Sequence, residues 1–384
     1  MNLVNVRGNG RQMLEQAQNA ASYRDHVGKA WGIAADGRLD RLAILGAAEE
    51  GQRLAGICRA AGIEVTQIVD DHPDRRGTIV EGTTVVPVEE LNVSAGAPPL
   101  VLATHQLLSP MRRVLEQGLE RVIPFAALET VAPERFPPHM FYTNWCEELE
   151  QHRSEILALY DLFADERSRQ VLDRVLDFRV TFNPEAIADV IEPQYYFPED
   201  LIVFGDDEVF VDGGAFDGDT IETFARLTDN RFAGVYAFEP DKATHARLAA
   251  RFAADDRVTA IPKGLFDRST ELYFDNAGTR GSVIVESADD GIRIDVTSID
   301  EVAAGDPVTY IKLNIEGAEL PALDGARRTI EQYRPTLAVA VYHRPADLWE
   351  IPRKIKSILP DYDLYLRQHG YGVVETAVYA IAPT

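Results

Sequence analysis

Short apolar runs alternate with amphipathic stretches through the first third of the chain. Residues 41–46 and 64–71 have the length and composition of strands, and residues 51–61 between them have helical spacing. Further strand-like runs follow at 98–104 and 121–124. This β-α-β order predicts a small parallel sheet of the Rossmann-like type.

Helical spacing characterises two other stretches. Residues 12–27 precede the first strand, and residues 145–179 carry two apolar stripes with a break at 165–169. A Pro-rich passage at 131–138 ends the first β-α-β region. The predicted organisation is therefore a small Rossmann-like N-terminal domain, a helical connector and a second α/β domain, at residues 1–140, 141–198 and 199–384.

The last half of the chain returns to alternating strands and helices and ends in a hairpin. Helical spacing occurs at 221–227 and 243–252, and residues 369–372 are a hairpin signal. The predicted sheet strands are a short buried run from residue 209 that ends in a glycine-rich turn, and residues 234–239, 257–262, 309–314, 337–343, 362–366 and 373–380. A β insert is predicted from the runs at 271–274, 281–285 and 292–296. The order predicts a parallel sheet finished by a hairpin.

The first of these strands leads into a turn that contains Gly213, Gly214 and Gly218. Glycine allows a tight turn and a close approach of the backbone to a ligand, because it has no Cβ. Glu239 ends the next strand, 25 residues after Gly214, where a carboxylate can accept both hydroxyls of a ribose. These features predict a site for a cofactor that contains a nucleoside.

The charges around this turn indicate which cofactor binds. Asp212, Asp217 and Asp219 surround the turn, and they repel a pyrophosphate but attract a cation. S-adenosyl-L-methionine carries a sulfonium and an ammonium beside its ribose and has no phosphate, so we predict this methyl donor. After the third strand, Leu265 is placed to cover its adenine and Asp267 to accept the adenine amino group. The predicted donor-site residues are Asp212, Gly213, Gly214, Ala215, Asp217, Gly218, Glu239, Pro240, Leu265 and Asp267.

Charge and composition restrict the possible partners and compartment. The formal net charge of −24 argues against binding to nucleic acid or to an anionic membrane surface. Two cysteines, Cys58 and Cys146, imply no disulfide framework and indicate a reducing compartment. No stretch reaches the roughly 20 apolar residues of a membrane span, and the N-terminus lacks a secretory apolar region. We expect a cytoplasmic protein.

Four motifs lie in order between residues 211 and 352. They are VDGGAFDGDT at 211–220, FEPD at 238–241, IKLNIEGAE at 311–319 and VYHRPADLWEIP at 341–352. Together they resemble the FkbM family of S-adenosylmethionine-dependent methyltransferases. The resemblance implies a Rossmann-like seven-stranded methyltransferase sheet, here preceded by the smaller Rossmann-like domain and the helical connector. It also implies O-methylation of a hydroxyl on a sugar, a glycan intermediate or a natural product.

The ends of the fourth and fifth strands carry the candidate catalytic residues Asn314, Glu316 and His343. Methyl transfer to a hydroxyl needs in-line alignment and removal of the hydroxyl proton, and His343 is the candidate base because imidazole titrates near neutral pH. Glu316 would orient this base, bind a sugar hydroxyl or contact the donor. Glu319 either caps the next helix or joins the site. The family has aspartate at the position of Asn314, and this loss of charge argues against a metal ion, so none is predicted.

Lys312 and Asp347 are two further charged residues of these motifs, and only Lys312 has two predicted environments. Lys312 pairs with a buried acid or lies in solvent, and Asp347 lies near the start of a helix. In the N-terminal domain, the segment that starts at Gly46 resembles a dinucleotide-binding fingerprint. It differs because Ala48 replaces one of the glycines and Glu49 follows it. That region is either a nucleotide or nucleotide-sugar pocket, or a degenerate nucleotide fold used for packing, dimerisation or substrate placement.

Two other functions stay open from the sequence. A nicotinamide-dependent oxidoreductase is one, because two nucleotide-type folds occur, and a non-catalytic scaffold that keeps the fold is the other. We expect a small-molecule or glycan acceptor whose specificity is set by residues 276–287 and by the N-terminal domain. The additional domain is also compatible with a homodimer.

Overall fold

The computed structural model of the protein describes residues 10–16, 19–138, 140–275, 284–285, 291–372 and 374–383. These residues form two compact units. The first comprises the described residues up to Leu157, Gln170–Ile191 and Gly370–Val374. The second comprises Ala158–Arg169, Glu192–His369 and Glu375–Thr384. The predicted three-part division at residues 140 and 198 stays a prediction.

The first unit contains a six-stranded, mostly parallel sheet. Its strands are β1 Arg41–Leu45, β2 Glu64–Val69, β3 Ile79–Val80, β4 Thr83–Val86, β5 Leu100–Leu102 and β6 Val122–Pro124. Their order is β3-β4-β2-β1-β5-β6, with only the β3–β4 pair antiparallel. The four predicted strands are confirmed, and the short β3–β4 pair was not predicted.

The helices before and around this sheet are α1 Gly10–Gln16, α2 Ala20–Trp31, α3 Glu49–Ala61, α4 Leu108–Glu116 and α5 Phe125–Val131, with 3₁₀ turns at Val88–Glu90 and Met140–Tyr142. The prediction of one helix over 12–27 was wrong. Asn19 has an extended backbone, with φ of −161°, and its side chain accepts the N–H of Ser22. Asn19 therefore caps α2 and separates it from α1.

The helical stretch that follows contains α6 Trp145–Gln151, α7 Arg153–Leu162, α8 Glu166–Thr181 and a 3₁₀ turn at Pro184–Ala186. The predicted break falls at the start of α8. There the Asp165 carboxylate accepts the N–H of Ser168 at 2.7 Å, which satisfies a donor in the first turn of the helix.

The second unit contains the larger sheet and an insert. Its strands are β7 Val209–Gly213, β8 Gly234–Phe238, β9 Val258–Ile261, β10 Gly264–Leu265, β11 Thr270–Asp275, β12 Ile284–Val285, β13 Gly291–Thr297, β14 Tyr310–Leu313, β15 Thr336–Ala340, β16 Asp363–Gln368 and β17 Thr376–Ile381. Its helices are α9 Asp219–Leu227, α10 Lys242–Arg251, α11 Ile299–Val302, α12 Glu319–Asp324, α13 Arg327–Tyr333 and α14 Asp347–Ile358.

The larger sheet has seven strands in the order β16-β17-β15-β14-β7-β8-β9. β17 is antiparallel to both of its neighbours, and the other pairs are parallel. The predicted parallel sheet with a final hairpin is therefore confirmed. The chain runs from β7 towards β9 on one side and returns to β14 on the other. The crevice at the carboxyl ends of β7 and β14 is the topological switch point, where ligands of such sheets bind.

The insert is a four-stranded sheet in the order β10-β13-β11-β12. The predicted segment 281–285 and the predicted specificity segment 276–287 lie outside the described residues except for β12. No helix in the described part of the chain is long and apolar enough to cross a membrane.

Candidate active site

The turn after β7 requires glycine at two positions because of its backbone conformation and its packing. Gly214 has φ of +76°, and a Cβ there would lie 2.1 Å from the carbonyl oxygen of Asn314. Gly218 has φ of +91°, and a Cβ there would lie 2.3 Å from the Phe252 ring. Left-handed backbone and close packing both exclude a side chain at these positions. The donor turn therefore packs directly on the residue that follows β14.

Glu239 ties the end of β8 to this turn. Its two carboxylate oxygens accept the N–H groups of Phe216 and Asp241, at 3.1 and 2.9 Å. Burial raises the pKa of Glu239, against the opposing effect of these two backbone donors. The half-buried Pro240 follows it. The carboxylate lies at the strand end where a ribose is expected, and its unused lone pairs can accept hydroxyl protons.

Lys312 lies beneath the turn as a buried cation. Its Nζ is 2.9 Å from Oδ1 of Asp212, and it donates to the carbonyl oxygens of Gly213 and Gly214 at 3.0 and 2.8 Å. It also lies 5.0 Å from the centroid of the Tyr196 ring. Lys312 thus pairs with a buried acid, one of its two predicted environments. Burial raises the pKa of Asp212 despite the lysine, so Asp212 supports the turn from inside.

The remaining residues of the turn point in different directions. The side chain of Ala215 lies in the apolar core, while its N–H donates to the carbonyl oxygen of Phe238 at 2.9 Å. Asp217 is partly exposed, and its Oδ1 lies 3.3 Å from the guanidinium of Arg251. Phe216 is 50% exposed and has φ of +47°. Asp217 and Phe216 therefore face outwards, where they can contact a ligand, and Ala215 does not.

Leu265 and Asp267 follow the third strand of the sheet. Leu265 is buried, and a Cβ on Gly213 would lie 2.8 Å from its Cδ1, so this side chain covers the turn. Oδ2 of Asp267 accepts a hydrogen bond from Arg268 at 2.8 Å. Its Oδ1 is buried and has no hydrogen-bond partner among the described residues. An orphaned buried acceptor is costly, and it is the group expected to receive an adenine amino proton.

The end of β14 brings two of the predicted catalytic residues next to the turn. Oδ1 of Asn314 accepts the hydroxyl of Tyr342 at 3.0 Å. Glu316 has φ of +55°, and its side chain is 35% exposed. A non-glycine residue in the left-handed region is strained, and such strain is concentrated at functional sites. The backbone here therefore presents the Glu316 carboxylate at the edge of the sheet.

His343 is buried between carboxylates. Its Nδ1 lies 2.9 Å from Oε1 of Glu319, and its Nε2 lies 3.6 Å from Oε2 of Glu316. Burial lowers the pKa of His343, but Glu319, Glu316 and Asp347 outweigh this effect and raise it to about 9. Burial likewise raises the pKa of Asp347, to about 6, although Arg344 donates to its carboxylate. His343 is thus held as an imidazolium with both nitrogens facing acids.

Glu319, His343 and Asp347 also form a group whose ligand atoms lie within 4.8 Å of one another. Such a group has the composition of a metal site. The imidazolium and the guanidinium of Arg344 already balance its carboxylates. The absence of a metal requirement stays a prediction.

Sequence reasoning left two members of this cluster without a firm role. Glu319 does serve a local turn, because its Oε1 accepts the N–H of Ile315, but the same carboxylate faces His343. Asp347 begins α14 and was given only a helix-start role. The available signal was their position, since each begins the next helix after a candidate catalytic residue at a strand end.

Comparison with known proteins agrees with this geometry. Residues 212–373 match the family model described as the methyltransferase FkbM domain. The crystal structure of methyltransferase FkbM from Methylobacillus flagellatus KT is 26% identical, has a TM-score of 0.74 and covers 99% of each chain. No curated protein sequence matches the chain.

More distant solved structures are also methyltransferases. A putative rRNA-methylase from Clostridium thermocellum is 12% identical, with a TM-score of 0.31 over 53% of this chain and 96% of that one. Fibrillarin from Aeropyrum pernix, in complex with S-adenosyl-L-methionine, is 12% identical, with a TM-score of 0.31 over 47% and 70%. Similarity at this level adds nothing to the assignment.

The seven-stranded sheet, with its switch-point turn and strand-end carboxylate, defines the second unit as a Rossmann-like methyltransferase. The family match is more specific: residues 212–373 match the FkbM methyltransferase domain. The family resemblance drawn from the four motifs is thereby confirmed, and the methyltransferase class is favoured over the oxidoreductase and the scaffold.

Proposed function

We propose that the protein transfers a methyl group from S-adenosyl-L-methionine to a hydroxyl oxygen of a sugar, a glycan intermediate or a natural product. The observation that carries the proposal is the packing of Gly214 on Asn314, two residues before Glu316. The predicted donor turn and the acidic strand end therefore share one edge of the sheet. The residues that would hold the donor and the carboxylate that would accept the hydroxyl proton are therefore close together in the fold.

The described residues fit this donor. Glu239 would accept the ribose hydroxyls, and the orphaned Oδ1 of Asp267, near the apolar Leu265 in the chain, would accept the adenine amino group. The partly exposed Asp217 gives the turn an acidic surface, which suits a sulfonium and an ammonium. When bound, the donor supplies an electrophilic methyl carbon.

The chain's own groups account for the proton. The hydroxyl oxygen forms its bond to the methyl carbon as the carbon–sulfur bond breaks, and the hydroxyl proton passes to a base. Glu316 is the exposed carboxylate of the cluster, whereas the side chain of His343 is only 1% exposed and both of its nitrogens face acids. We therefore assign proton acceptance to Glu316. His343 is then a positioning residue that holds this carboxylate by charge.

The hydroxyl of Tyr342 completes this edge. It donates to Asn314, so the neutral amide is oriented by a neighbouring strand end and offers its N–H groups to a substrate. Donating hydrogen bonds to a substrate needs no negative charge, so asparagine can take this position, where the family has aspartate. An uncharged, polyhydroxylated substrate suits an amide and a carboxylate presented together.

The test is a transfer assay with methyl-labelled S-adenosyl-L-methionine and a panel of sugars, glycosides and polyhydroxylated natural products. Product analysis by mass spectrometry and NMR should show methyl ethers. With any acceptor that is turned over, Glu316→Gln should lower kcat by about 10²- to 10⁴-fold and leave donor binding nearly unchanged.

The matched control is Glu331→Gln, the same change at an exposed glutamate on α13. It should keep wild-type turnover. Methylation of nitrogen or carbon instead of oxygen would contradict the proposed reaction. Wild-type turnover in Glu316→Gln, together with loss of turnover in His343→Asn, would show that the base is misassigned.

A further inference from the structure

The first unit repeats the stereochemistry of the donor turn in a different sheet. Gly46 follows β1 with φ of +105°, and a Cβ there would lie 2.5 Å from the carbonyl oxygen of Ala103, the residue after β5. Gly214 has the same relation to Asn314, the residue after β14. In each unit, a left-handed glycine thus lets the turn pack on the neighbouring strand across the switch point.

The acid at the tip of the next strand is repeated as well. Asp70 follows Gly46 by 24 residues, and Glu239 follows Gly214 by 25. One Asp70 oxygen accepts the N–H of Ala47 in the turn, and the other accepts the N–H of His72, both at 2.8 Å. Glu239 also accepts one N–H from its turn and one from the residue two positions on. Asp70 is therefore built into the position that receives ribose in nucleoside-binding sheets.

Asp70 is held in the form that accepts hydroxyl protons. Burial raises its pKa, but the N–H groups of Ala47 and His72 and the guanidinium of Arg75 outweigh this effect, so the pKa is lowered. Nη1 of Arg75 lies 3.1 Å from Oδ2 of Asp70, and the Arg75 side chain is 39% exposed. An ionised carboxylate with an exposed partner can exchange part of that contact for a ligand hydroxyl.

A small cavity lies on the other side of the turn, after β5 and β6. Its polar lining comes from Glu50, Thr104, His105, Glu129 and Tyr142. Its volume of about 20 Å³ admits one small polar group, such as a hydroxyl or an amino group. Because neighbouring strands lie about 4.8 Å apart, β2 and β5 on the two sides of β1 are roughly 10 Å apart. One ligand of nucleoside size can therefore reach both Asp70 and this cavity.

The charge of the site limits what this ligand is. Glu49 and Glu50 stand in the first turn of α3, where a dinucleotide site would hold its pyrophosphate. Glu129 is buried, and it shares the guanidinium of Arg53 with Glu50. The N–H of Ala47 is already used by Asp70. A phosphate would thus meet carboxylates, whereas hydroxyls would meet proton acceptors.

We propose that the first unit holds a second ligand site, for an uncharged ribonucleoside, in which Asp70 accepts the vicinal hydroxyls of the ribose. The Gly46 turn lies under the ligand, and one small polar substituent enters the cavity beside Thr104 and His105. This decides between the two interpretations of the Gly46 motif in favour of a ligand pocket, and it excludes dinucleotides from it. The residues of this site all belong to the first unit.

The test is calorimetric titration of adenosine, guanosine, cytidine and uridine into the full-length protein, followed by the 2′-deoxy and 3′-deoxy analogues of any nucleoside that binds. Loss of one ribose hydroxyl should weaken binding about ten- to hundred-fold, because its carboxylate partner is left unpaired. This comparison uses the wild-type protein alone and does not depend on how a variant folds.

Three variants locate the site. Asp70→Asn should weaken ribonucleoside binding to a similar extent, and the exposed control Asp74→Asn should not change it. Glu239→Gln should also leave it unchanged, because that residue belongs to the other unit. The proposal is overturned if no ribonucleoside binds, if deoxy analogues bind as well as the ribonucleosides, or if Glu239→Gln rather than Asp70→Asn removes binding.

Discussion

His343 has a carboxylate opposite each ring nitrogen and a third one nearby, in a place that water does not reach. Pairing with Glu319 offsets the desolvation cost of a buried imidazolium there. The charge also compensates the acids that the sequence gathers at the ends of β14 and β15. The charge of His343 therefore stabilises the close approach of the Glu316 and Glu319 carboxylates.

This environment predicts a pH-dependent stability. The pKa of His343 is raised from 6.5 to about 9 in the folded protein. The stabilisation is therefore fully present below pH 6.5 and is lost as the pH rises through 9, and it amounts to about 3 kcal/mol. The free energy of unfolding of wild type minus that of His343→Asn should fall by this amount between pH 6.5 and 9.5, measured by urea denaturation.

Glu319→Gln is the companion variant, because it removes the carboxylate closest to the ring. Its own stability should depend less on pH over the same interval than that of wild type. A difference between wild type and His343→Asn that stays constant from pH 6.5 to 9.5 would mean that the buried imidazole is neutral. In that case His343 would regain its place as the candidate base.

At the residue scale, the sequence predicted which strand ends carry the candidate catalytic residues, but it did not predict the exposure or the backbone conformation of each residue. Strand periodicity and motif spacing placed Glu316 and His343 correctly at neighbouring strand ends. The left-handed backbone of Glu316 and the complete burial of His343 depend on tertiary packing. Because the exposed group is the glutamate, we propose Glu316 rather than His343 as the base.

At the scale of elements, the turn between β7 and α9 has a strict steric requirement. Gly214 and Gly305 both have positive φ, at +76° and +93°, but a Cβ on Gly305 would meet nothing within 4 Å. Alanine at either position should cost about 1–2 kcal/mol for the left-handed backbone. Gly214→Ala should cost roughly 1–3 kcal/mol more, because its Cβ would overlap the carbonyl of Asn314.

Urea denaturation of the two variants separates strain from overlap. The same Gly214→Ala substitution should weaken donor binding, since it moves the turn away from β14, while Gly305→Ala should leave donor binding unchanged. Equal stability losses in the two variants would contradict the close packing of the turn on Asn314.

The elements that were predicted correctly are those with strong periodicity or sharp boundaries. The apolar β7, β8, β14 and β15 and the final hairpin follow from the sequence because a buried parallel strand has a nearly continuous apolar run. The break at Asn19 was missed, because a helix cap inside an amphipathic stretch barely changes the apolar spacing. The two-residue β3 was missed because it is too short to show a period.

At the scale of the whole molecule, two sheets of one general design carry different electrostatics. Lys312 lies under the turn after β7, whereas Arg53 bridges Glu50 and Glu129 beside the turn after β1. The fold class was predictable because the order of strands and helices fixes it. The sequence left a ligand pocket and a degenerate fold as alternatives for the N-terminal sheet, because the contacts of Asp70 with its turn exist only in the folded unit.

The second unit is proposed to bind S-adenosyl-L-methionine at the Gly213–Gly214 turn through Glu239. The most direct measurement is calorimetric titration of S-adenosylhomocysteine into wild type, Glu239→Gln and the exposed control Glu331→Gln. We expect binding to wild type and to the control, and at least about tenfold weaker binding to Glu239→Gln, because the ribose hydroxyls lose a charged partner. Absence of binding to wild type, or unchanged binding to Glu239→Gln, would contradict the account.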